Sequence, residues 1–560
     1  MDNEIQHRES KMSFDLITPS HPLSRQKDAI LRERLLQAQV NVSPFHSQHA
    51  LFPTELKQLI AELHGLFEDE RQTLLDARKE KQIFFDANEV PAFIKDHPAR
   101  KTGWQVAEIP ADLQDRRVEI TGPVSNTKMV INMLNATEEG ERANTAMLDF
   151  EDSMKPTWEN VIRGLDNVIG VAEGNLRFEQ PGKDGEPAKV YRLVRHNMAH
   201  PMVRVRGLHM VEHNVQVDGV PVSAGLFDLA CTVFLTSRKF LQFGKTPKFY
   251  IPKCEHYLEA RWWNSLFSSL EAHLQIPDGS LKTTFLIETL PAAFQMEEIL
   301  FEIRERACGL NGGRWDKIFS DIKTLKTHKD RVLANRSSID MTRPWMENYA
   351  KLLIKICHKR GAFAIGGMSA FTPGQDEETR RAQLQKVTED KKREASIGHD
   401  GCWVSHPYFI GMAKSQFERR NQLDVMLADF PYEPDLLPDS SGPKTLEGLR
   451  QNLRVGIAYQ RSWDQGAGCV SFENLMEDLA TLEISRAQVW QWLFHKVVLD
   501  DGTEVNRELV QKLFDEECRK ILADLKVSGP EDIESYWQAK NRIENIFLKT
   551  ELDNFYNQES

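Results

Sequence analysis

Apolar residues recur at helical spacing through ELKQLIAELHGLFEDERQTLLDARKEKQIFF, with charges between them. That period predicts that the first hundred residues are mostly helical. HPARKTGWQVAEIPADLQDRR reads as loop until a strand begins at Val118–Ile120. From about residue 118 to 410 the pattern alternates. Short β-rich runs (TAMLDFED, MVRVRGLH, KFYIPK, KTTFLIET, AFAIGG, GCWVSHP) are separated by longer helical ones such as YLEARWWNSLFSSLEAHL and WMENYAKLLIKICHKR. Several of the strands are apolar on both faces, as strands buried between layers are. The alternation predicts an α/β fold, with a count near that of a (β/α)8 TIM barrel carrying insertions; a doubly wound sheet also satisfies it. FEQPGKDGEPAKVYRL predicts a small polar hairpin inserted near 178–195. Beyond about 425 the strands stop, and EGLRQNLRVGIAYQRSW, FENLMEDLATLEISRAQVWQWLFH and RELVQKLFDEECRKILADL predict helices. The expected division is therefore 1–110 helical, 111–425 barrel and 426–560 a C-terminal helical domain, entered through DLLPDSSGPKT.

Barrel enzymes work at the C-terminal ends of their strands, so polar residues that end β-runs carry the interest. Glu288 ends KTTFLIE, and Asp316 follows Gly312 and Gly313 in GLNGGRWDK. Period-two alternation puts Asp149 and Glu151 of MLDFED on one strand face, and likewise Arg204 and Arg206 of MVRVRG. Carboxylates cannot gather in a dry site without a cation. A few hard oxygen ligands suit Mg2+, which completes its shell with water and substrate oxygens. The glycines before Asp316 let the backbone approach a small anion. The plainer alternative is that each carboxylate caps a helix or meets a surface partner, with Ser153 or Asp152 capping the turn after MLDFED and the arginines as ordinary ion-pair partners.

Composition narrows the choices. The chain has 560 residues, 28% charged and 41% hydrophobic, which is ordinary for a globular protein. A net charge of −12 argues against a general nucleic-acid or anionic-membrane binder. Seven scattered cysteines without a C-x-x-C pair suggest a reducing compartment. The first thirty residues are too charged for a signal peptide, no apolar run reaches membrane length, and NQES is not a peroxisomal address; a cytoplasmic location is expected.

Other motifs weigh less. HMVEH matches an inverted zinc-protease pattern, but it follows a strand and runs into NVQVDGVPV, which reads as a β-ribbon with an Asp-Gly turn. GAFAIGGMSAF lacks the spacing of a nucleotide loop. GHDGCWVSHP offers Cys402 beside His399 and His406, though a structural cysteine fits as well. Asp478 falls on one helical stripe with Leu475, Leu482 and Val489. A carboxylate there needs a partner, such as Arg486, or a task such as proton transfer.

Taken together, RRVEITGPV, LDFEDSMKPTWEN, VRVRGLH, FLIETLPAAFQMEEILFEIRERACGLNGGRWDKIFSDIKTL, HKRGAFAIGGMSAF, GHDGCWVSHP and LMEDLATLEISRAQVWQW resemble the malate synthase family, in its A isoform, in collinear order from about 100 to about 500. The resemblance implies a TIM barrel with an N-terminal helical clasp and a C-terminal helical plug. It implies a Mg2+-dependent acyltransferase of the glyoxylate bypass that condenses acetyl-CoA with glyoxylate and water. Glu288 and Asp316 match the Mg2+ ligands, and Gly313, Arg314 and Trp315 the glyoxylate loop. Asp149 and Glu151 match acidic groups near the metal's waters, and Pro407 lies on the CoA side. Arg204 matches the catalytic arginine, with Arg206 two residues away as the other choice. Asp478 matches the base. A monomer or weak homo-oligomer is expected, without nucleic acid or membrane as a partner. Rival readings are a CoA-thioester lyase or thioesterase, which needs no Asp478, and a non-catalytic helical scaffold.

Overall fold

A computed structural model describes residues 40–42, 51–101, 103–182 and 187–556. Residues 1–39, 43–50 and 557–560, on which part of the N-terminal helical expectation and the targeting argument rest, lie outside it, as does the tip of the expected hairpin. No helix among the described residues is long and apolar enough to cross a membrane.

Eight parallel strands close into a barrel: β1 (Val118–Pro123), β2 (Thr145–Asp149), β3 (His200–Arg204), β4 (Lys248–Ile251), β5 (Lys282–Leu286), β6 (Ala307–Asn311), β7 (Phe363–Ser369) and β8 (Gly401–Val404). Each strand pairs with its neighbours in chain order, and β8 returns to β1 through Cys402–Val118 and Val404–Ile120. This excludes the doubly wound sheet.

The interior is filled by Met147, Met202, Tyr250, Leu286, Cys308, Phe363, Ile365 and Trp403. Beneath them lies a polar network. Arg116 donates to Glu119 (2.7 Å), Tyr250 (2.8 Å) and Thr284 (3.0 Å), and Trp403 Nε1 donates to Glu119 (2.9 Å). A buried guanidinium is tolerated there because its donors are matched. Gly309 in β6 is required by space rather than by a ligand, since a Cβ would lie 2.3 Å from the Phe363 carbonyl oxygen.

The N-terminal helix α1 (Thr54–Asp86) buries Leu56, Leu59, Ile60, Leu63, Phe67, Arg71 and Leu74, a stripe at helical spacing. It lies on the outer helices Ala224–Gln242 and Tyr257–Leu274. Phe67 packs edge-on against Trp262, Arg71 donates to the Leu208 carbonyl (2.7 Å), and Arg78 forks onto Glu259. Between β2 and β3 the two-stranded ribbon Arg177–Gln180 and Lys189–Arg192 projects.

Helix α2 (Arg314–Thr324) follows β6. The C-terminal helices α3 (Leu446–Asp464), α4 (Leu479–Phe494), α5 (Arg507–Asp524) and α6 (Pro530–Phe547) have their own core around Leu453, Ile457, Leu482, Trp492, Phe514 and Phe547. A separate apolar cluster joins them to the barrel, with Ile318, Phe319 and Ile322 of α2 against Ile484, Ala487 and Trp490 of α4.

The helix expected across FENLMEDLATLEISRAQVWQWLFH is shorter than its pattern. Val470–Phe472 and Leu475–Glu477 form an antiparallel ribbon instead, turned by Glu473 and Asn474 with φ of 48° and 61°. Two left-handed residues in a two-residue loop match the twist of a hairpin, and asparagine tolerates that conformation. Leu475 therefore does not share a helical stripe with Asp478.

Candidate active site

The strands explain how one mouth of the barrel becomes acidic. Inward positions alternate, so two residues beyond an interior side chain the next one points inward again, higher up. Met147 is followed by Asp149, Met202 by Arg204 and Leu286 by Glu288. All three are buried at the C-terminal end. Glu151 continues the phase past the end of β2 and is also buried. Asp316 sits in the first turn of α2, on the loop after β6.

Arg204 is the hub. It forks onto Asp149, with Nε and Nη2 each donating at 2.7 Å. Its Nη1 lies 3.2 Å from Asp152 and 3.5 Å from Glu151. Asp149 also accepts from Glu151 N, Ser153 N and Ser153 Oγ, so it holds both the arginine and the turn after β2. The capping role offered to Ser153 or Asp152 thus falls to Asp149. Burial opposes ionisation of Asp149, but the guanidinium outweighs it and holds the carboxyl below its ordinary range.

Arg206 goes elsewhere. β3 ends at Arg204, and Arg206 turns to Asp228 and Glu212, donating at 2.7–2.9 Å. The shared strand face expected for the two arginines does not form.

Two residues absent from the sequence-derived set belong to the cluster. Asp152 faces Arg204 and Lys253. Lys253, two residues past β4, brings Nζ to 2.8 Å from Asp152, 3.2 Å from Glu151 and 3.2 Å from Asp316. Its main-chain N–H donates to Glu288 Oε1 (2.8 Å).

Six carboxylates (Asp149, Glu151, Asp152, Glu288, Asp316, Asp478) thus surround two cations. Burial, and then the charge of Asp316, push Glu288 well above the ordinary carboxylate range; burial and Asp152 do the same to Glu151. Both oxygens of Glu151 and Oδ1 of Asp316 are buried with no aligned hydrogen bond, held only by the ion-pair contacts to Lys253 and Arg204. Such a set calls for more positive charge. Among the described residues no group of three His, Cys, Asp or Glu has ligand-like geometry. Glu288 and Asp316, buried side by side, would offer a hard cation two oxygen ligands and leave the rest to water and substrate, the manner of Mg2+. A Cβ on Gly313 would lie 3.7 Å from Glu288 Oε2, in front of that carboxylate. Gly313 also starts α2 without a side-chain cap. The first N–H groups of a helix have no intrahelical acceptor, which suits a small anion. Arg314 stacks over Trp315 at 4.1 Å, and Trp315 packs into the cluster between α2 and α4.

Asp478 comes from the other side. It is the N-cap of α4, accepting from Thr481 N (3.4 Å) while its own N–H donates to Thr481 Oγ1 (3.0 Å). Arg486 pairs with Glu483 instead, and Glu477 with Arg336. The ribbon before Asp478 is tied to the segment after β7 by Met476 N to Ala370 O (2.7 Å), and Leu479 N donates to Asp152 O (3.2 Å). Burial first, then the charges of Asp152 and Asp316, push Asp478 up to about 8. A carboxyl so placed gives and takes protons near neutral pH.

A cavity of about 530 Å³ opens beside this cluster, between the loops after β1 and β2 and residues 465–469 of the C-terminal domain. Ser125, Ser153, Lys155 and Arg163 line it. Pro407 starts a short 3-10 turn after β8 and does not line that cavity. Cys402 is buried with its thiol pushed well up by desolvation, the state of a structural cysteine. His209 stacks on Phe555 at 4.0 Å, and His213 lies on the strand Val211–Val217 of the Asp-Gly ribbon, so HMVEH is not a helical zinc pair.

Comparison with known proteins places the chain in a family. Residues 201–431 match the family description "Malate synthase, TIM barrel domain", and residues 443–559 "Malate synthase, C-terminal". The chain is 44% identical to malate synthase A of Escherichia coli over 90% of its own length and 94% of that protein's. It is 44% identical to the malate synthase of Myxococcus xanthus (85% and 87%) and 40% identical to the glyoxysomal malate synthase of Candida tropicalis (86% and 88%). This chain belongs to the malate synthase family.

Proposed function

We propose that the acidic mouth of the barrel is where this chain carries out the malate synthase reaction, in which acetyl-CoA, glyoxylate and water give malate and CoA, with Asp478 as base and Arg204 as the stabiliser of the enolate. The observation that carries the reading is the placement of Asp478, buried at a helix start on a separate domain and facing Arg204, Asp152 and Asp316.

Asp478 takes a proton from the acetyl methyl group. Negative charge then develops on the thioester oxygen. Arg204 has two N–H donors beyond those spent on Asp149 and Asp152, and it is already aligned by them. A preorganised cation of this kind meets the oxyanion without reorganisation. The enolate carbon attacks the aldehyde carbon of glyoxylate, forming the C–C bond. The alkoxide takes a proton to give malyl-CoA, and water cleaves its thioester to malate and CoA. Glu288 and Asp316 would hold Mg2+, which supplies Lewis-acid polarisation of the glyoxylate carbonyl. The uncapped start of α2 at Gly313, with Arg314 and Trp315, would receive the glyoxylate carboxylate. The cavity beside Ser153, with Lys155 and Arg163 on its wall, would receive the anionic CoA chain. Pro407 is assigned to the outer CoA side. The division into a clasp (1–110), a barrel (111–425) and a plug (426–560) follows the same reading, as do a cytoplasmic location and a monomer or weak homo-oligomer.

The test is thiol release from acetyl-CoA by the purified protein. Release should require both glyoxylate and Mg2+ and stop with EDTA. Release without glyoxylate would indicate a thioesterase. Silence, with cleavage of added malyl-CoA to glyoxylate, would indicate a lyase and remove the role given to Asp478.

A pH profile follows from the same site. Asp478 acts ionised, and its value is raised from 3.8 to about 8. Because turnover needs Mg2+, whose charge nearby lowers that value, we expect kcat/KM for acetyl-CoA at saturating Mg2+ to climb with pH on a limb that lies above the ordinary carboxylate range and below about 8, and to flatten above it. The sign for stability is opposite: a carboxyl raised on folding stabilises in its protonated form, and that contribution is lost as pH rises from 3.8 through about 8. Asp478→Asn should lack the limb.

A further inference from the structure

Lys253 breaks the rule that places its neighbours. The inward positions on β4 are Tyr250 and then residue 252, which is Pro252. Continued extended chain would turn residue 253 away from the mouth. Instead Lys253 has φ of 52°, a left-handed conformation that a non-glycine residue seldom adopts. Two contacts meet at this turn. The ammonium enters the acidic cluster, with the side chain only 2% exposed. The main-chain N–H points at Glu288 Oε1.

We propose that Lys253 is a positioning residue acting through both contacts made at its left-handed turn: its N–H sets the orientation of the Glu288 carboxylate, and its ammonium holds Asp152 and Glu151 so that they do not pull Arg204 away from the developing enolate. The proposal rests on the reading of the site above. The two bonds do different jobs. Glu288 has one oxygen taken by the N–H, which leaves Oε2 on the side of Gly313 and Asp316. Asp152 accepts from Lys253 Nζ at 2.8 and 2.9 Å with both oxygens, while its contact with Arg204 is longer, at 3.2 Å. Without the ammonium the carboxylates of Asp152 and Glu151 would find Arg204 as their remaining cation. The guanidinium would then be drawn from its fork on Asp149, and its two spare donors would lose their aim.

Two variants separate the jobs. Lys253→Gly removes the ammonium and keeps the left-handed turn, which glycine adopts freely. Lys253→Val removes the ammonium and disfavours the turn, because a β-branched residue resists positive φ. Mg2+ binding is measured by calorimetry on substrate-free protein, alongside kcat, KM for glyoxylate and Tm. Lys253→Gly should bind Mg2+ no more than about threefold more weakly than the parent, and lose at least about tenfold in kcat with KM for glyoxylate little changed. Lys253→Val should lose a similar factor in kcat and in addition bind Mg2+ about tenfold more weakly, the equivalent of about 1.4 kcal/mol. Equal Mg2+ affinity in the two folded variants would overturn the role given to the turn. A Lys253→Gly variant that keeps more than half the parent kcat would overturn the role given to the ammonium. If Lys253→Val does not fold, Lys253→Gly decides alone: a tenfold loss of Mg2+ affinity in it would refute the main-chain role. Failure of the parent protein itself to bind Mg2+ would instead count against the site assignment on which the proposal stands.

Discussion

Replacing Asp478 with asparagine should lower kcat by about 10²–10⁴-fold, the usual size of lost general-base catalysis, while Mg2+ and glyoxylate bind as before. The specificity of that outcome follows from where the residue sits. Asparagine is as good an N-cap as aspartate, so the bond from Thr481 N and the start of α4 should persist. The ribbon and the Leu479 N–H to Asp152 bond that place it do not involve its side chain. Removing the carboxyl also removes repulsion from Asp152 and Asp316 and the need to bury a charge. The variant should therefore be at least as thermostable as the parent at neutral pH while nearly inactive. Steady-state thiol release, Mg2+ calorimetry and a melting curve on one preparation check all three parts. More than about a tenth of parental rate would mean that another group takes the proton.

Arg204→Gln should fail differently, in both activity and stability. Loss of a preorganised oxyanion partner costs about 10²–10³-fold in kcat. In addition, Asp149 would lose both arms of its fork, and Asp152 and Glu151 would keep Lys253 alone. Breaking a buried ion pair from one side costs about 3–5 kcal/mol, so the melting temperature should fall clearly. Arg204→Lys keeps the charge but not the planar fork, and should recover stability better than rate. Parental kcat in Arg204→Lys would show that charge alone suffices and that the aligned donors do not matter. Arg206 provides the contrast: its partners are Asp228 and Glu212, so Arg206→Gln should reduce stability without the kcat signature of the oxyanion partner.

The barrel was legible because its strands and helices carry different periods and because parallel strands buried on both faces read as continuous apolar runs. Period-two alternation pairs Asp149 with Glu151 and Arg204 with Arg206, and Glu288 stands out as the carboxylate that ends its β-run; in the structure Asp149, Arg204 and Glu288 continue the inward phase of Met147, Met202 and Leu286. It failed for Lys253, whose inward direction comes from a single left-handed residue that no alternation encodes. It failed too for Arg206, which has the right phase but finds Asp228 on an outer helix. Asp152 was visible only as a possible cap, since its role depends on Arg204 and Lys253, distant in sequence. Asp478 was singled out for being a costly carboxylate among apolar residues, and that reason holds. The stripe on which it was placed does not, because Glu473 and Asn474 turn a hairpin there; the Asn in the middle of SFENLME was the local signal.

The order of parts along the chain has a consequence during synthesis. All eight barrel strands lie before residue 405, and Asp478 arrives later, beyond the helices Ile410–Ser415 and Leu446–Asp464 and the ribbon that follows them. At about 5–20 residues per second, the roughly 75 residues between Val404 and Asp478 take about 4–15 s to emerge. During that interval the nascent barrel already carries Arg204, Glu288 and Asp316. Asp478, the base proposed above, does not yet exist. On the proposed roles, a ribosome stalled in this window would display a polypeptide that has its metal-side carboxylates and Arg204 but no base to start the reaction.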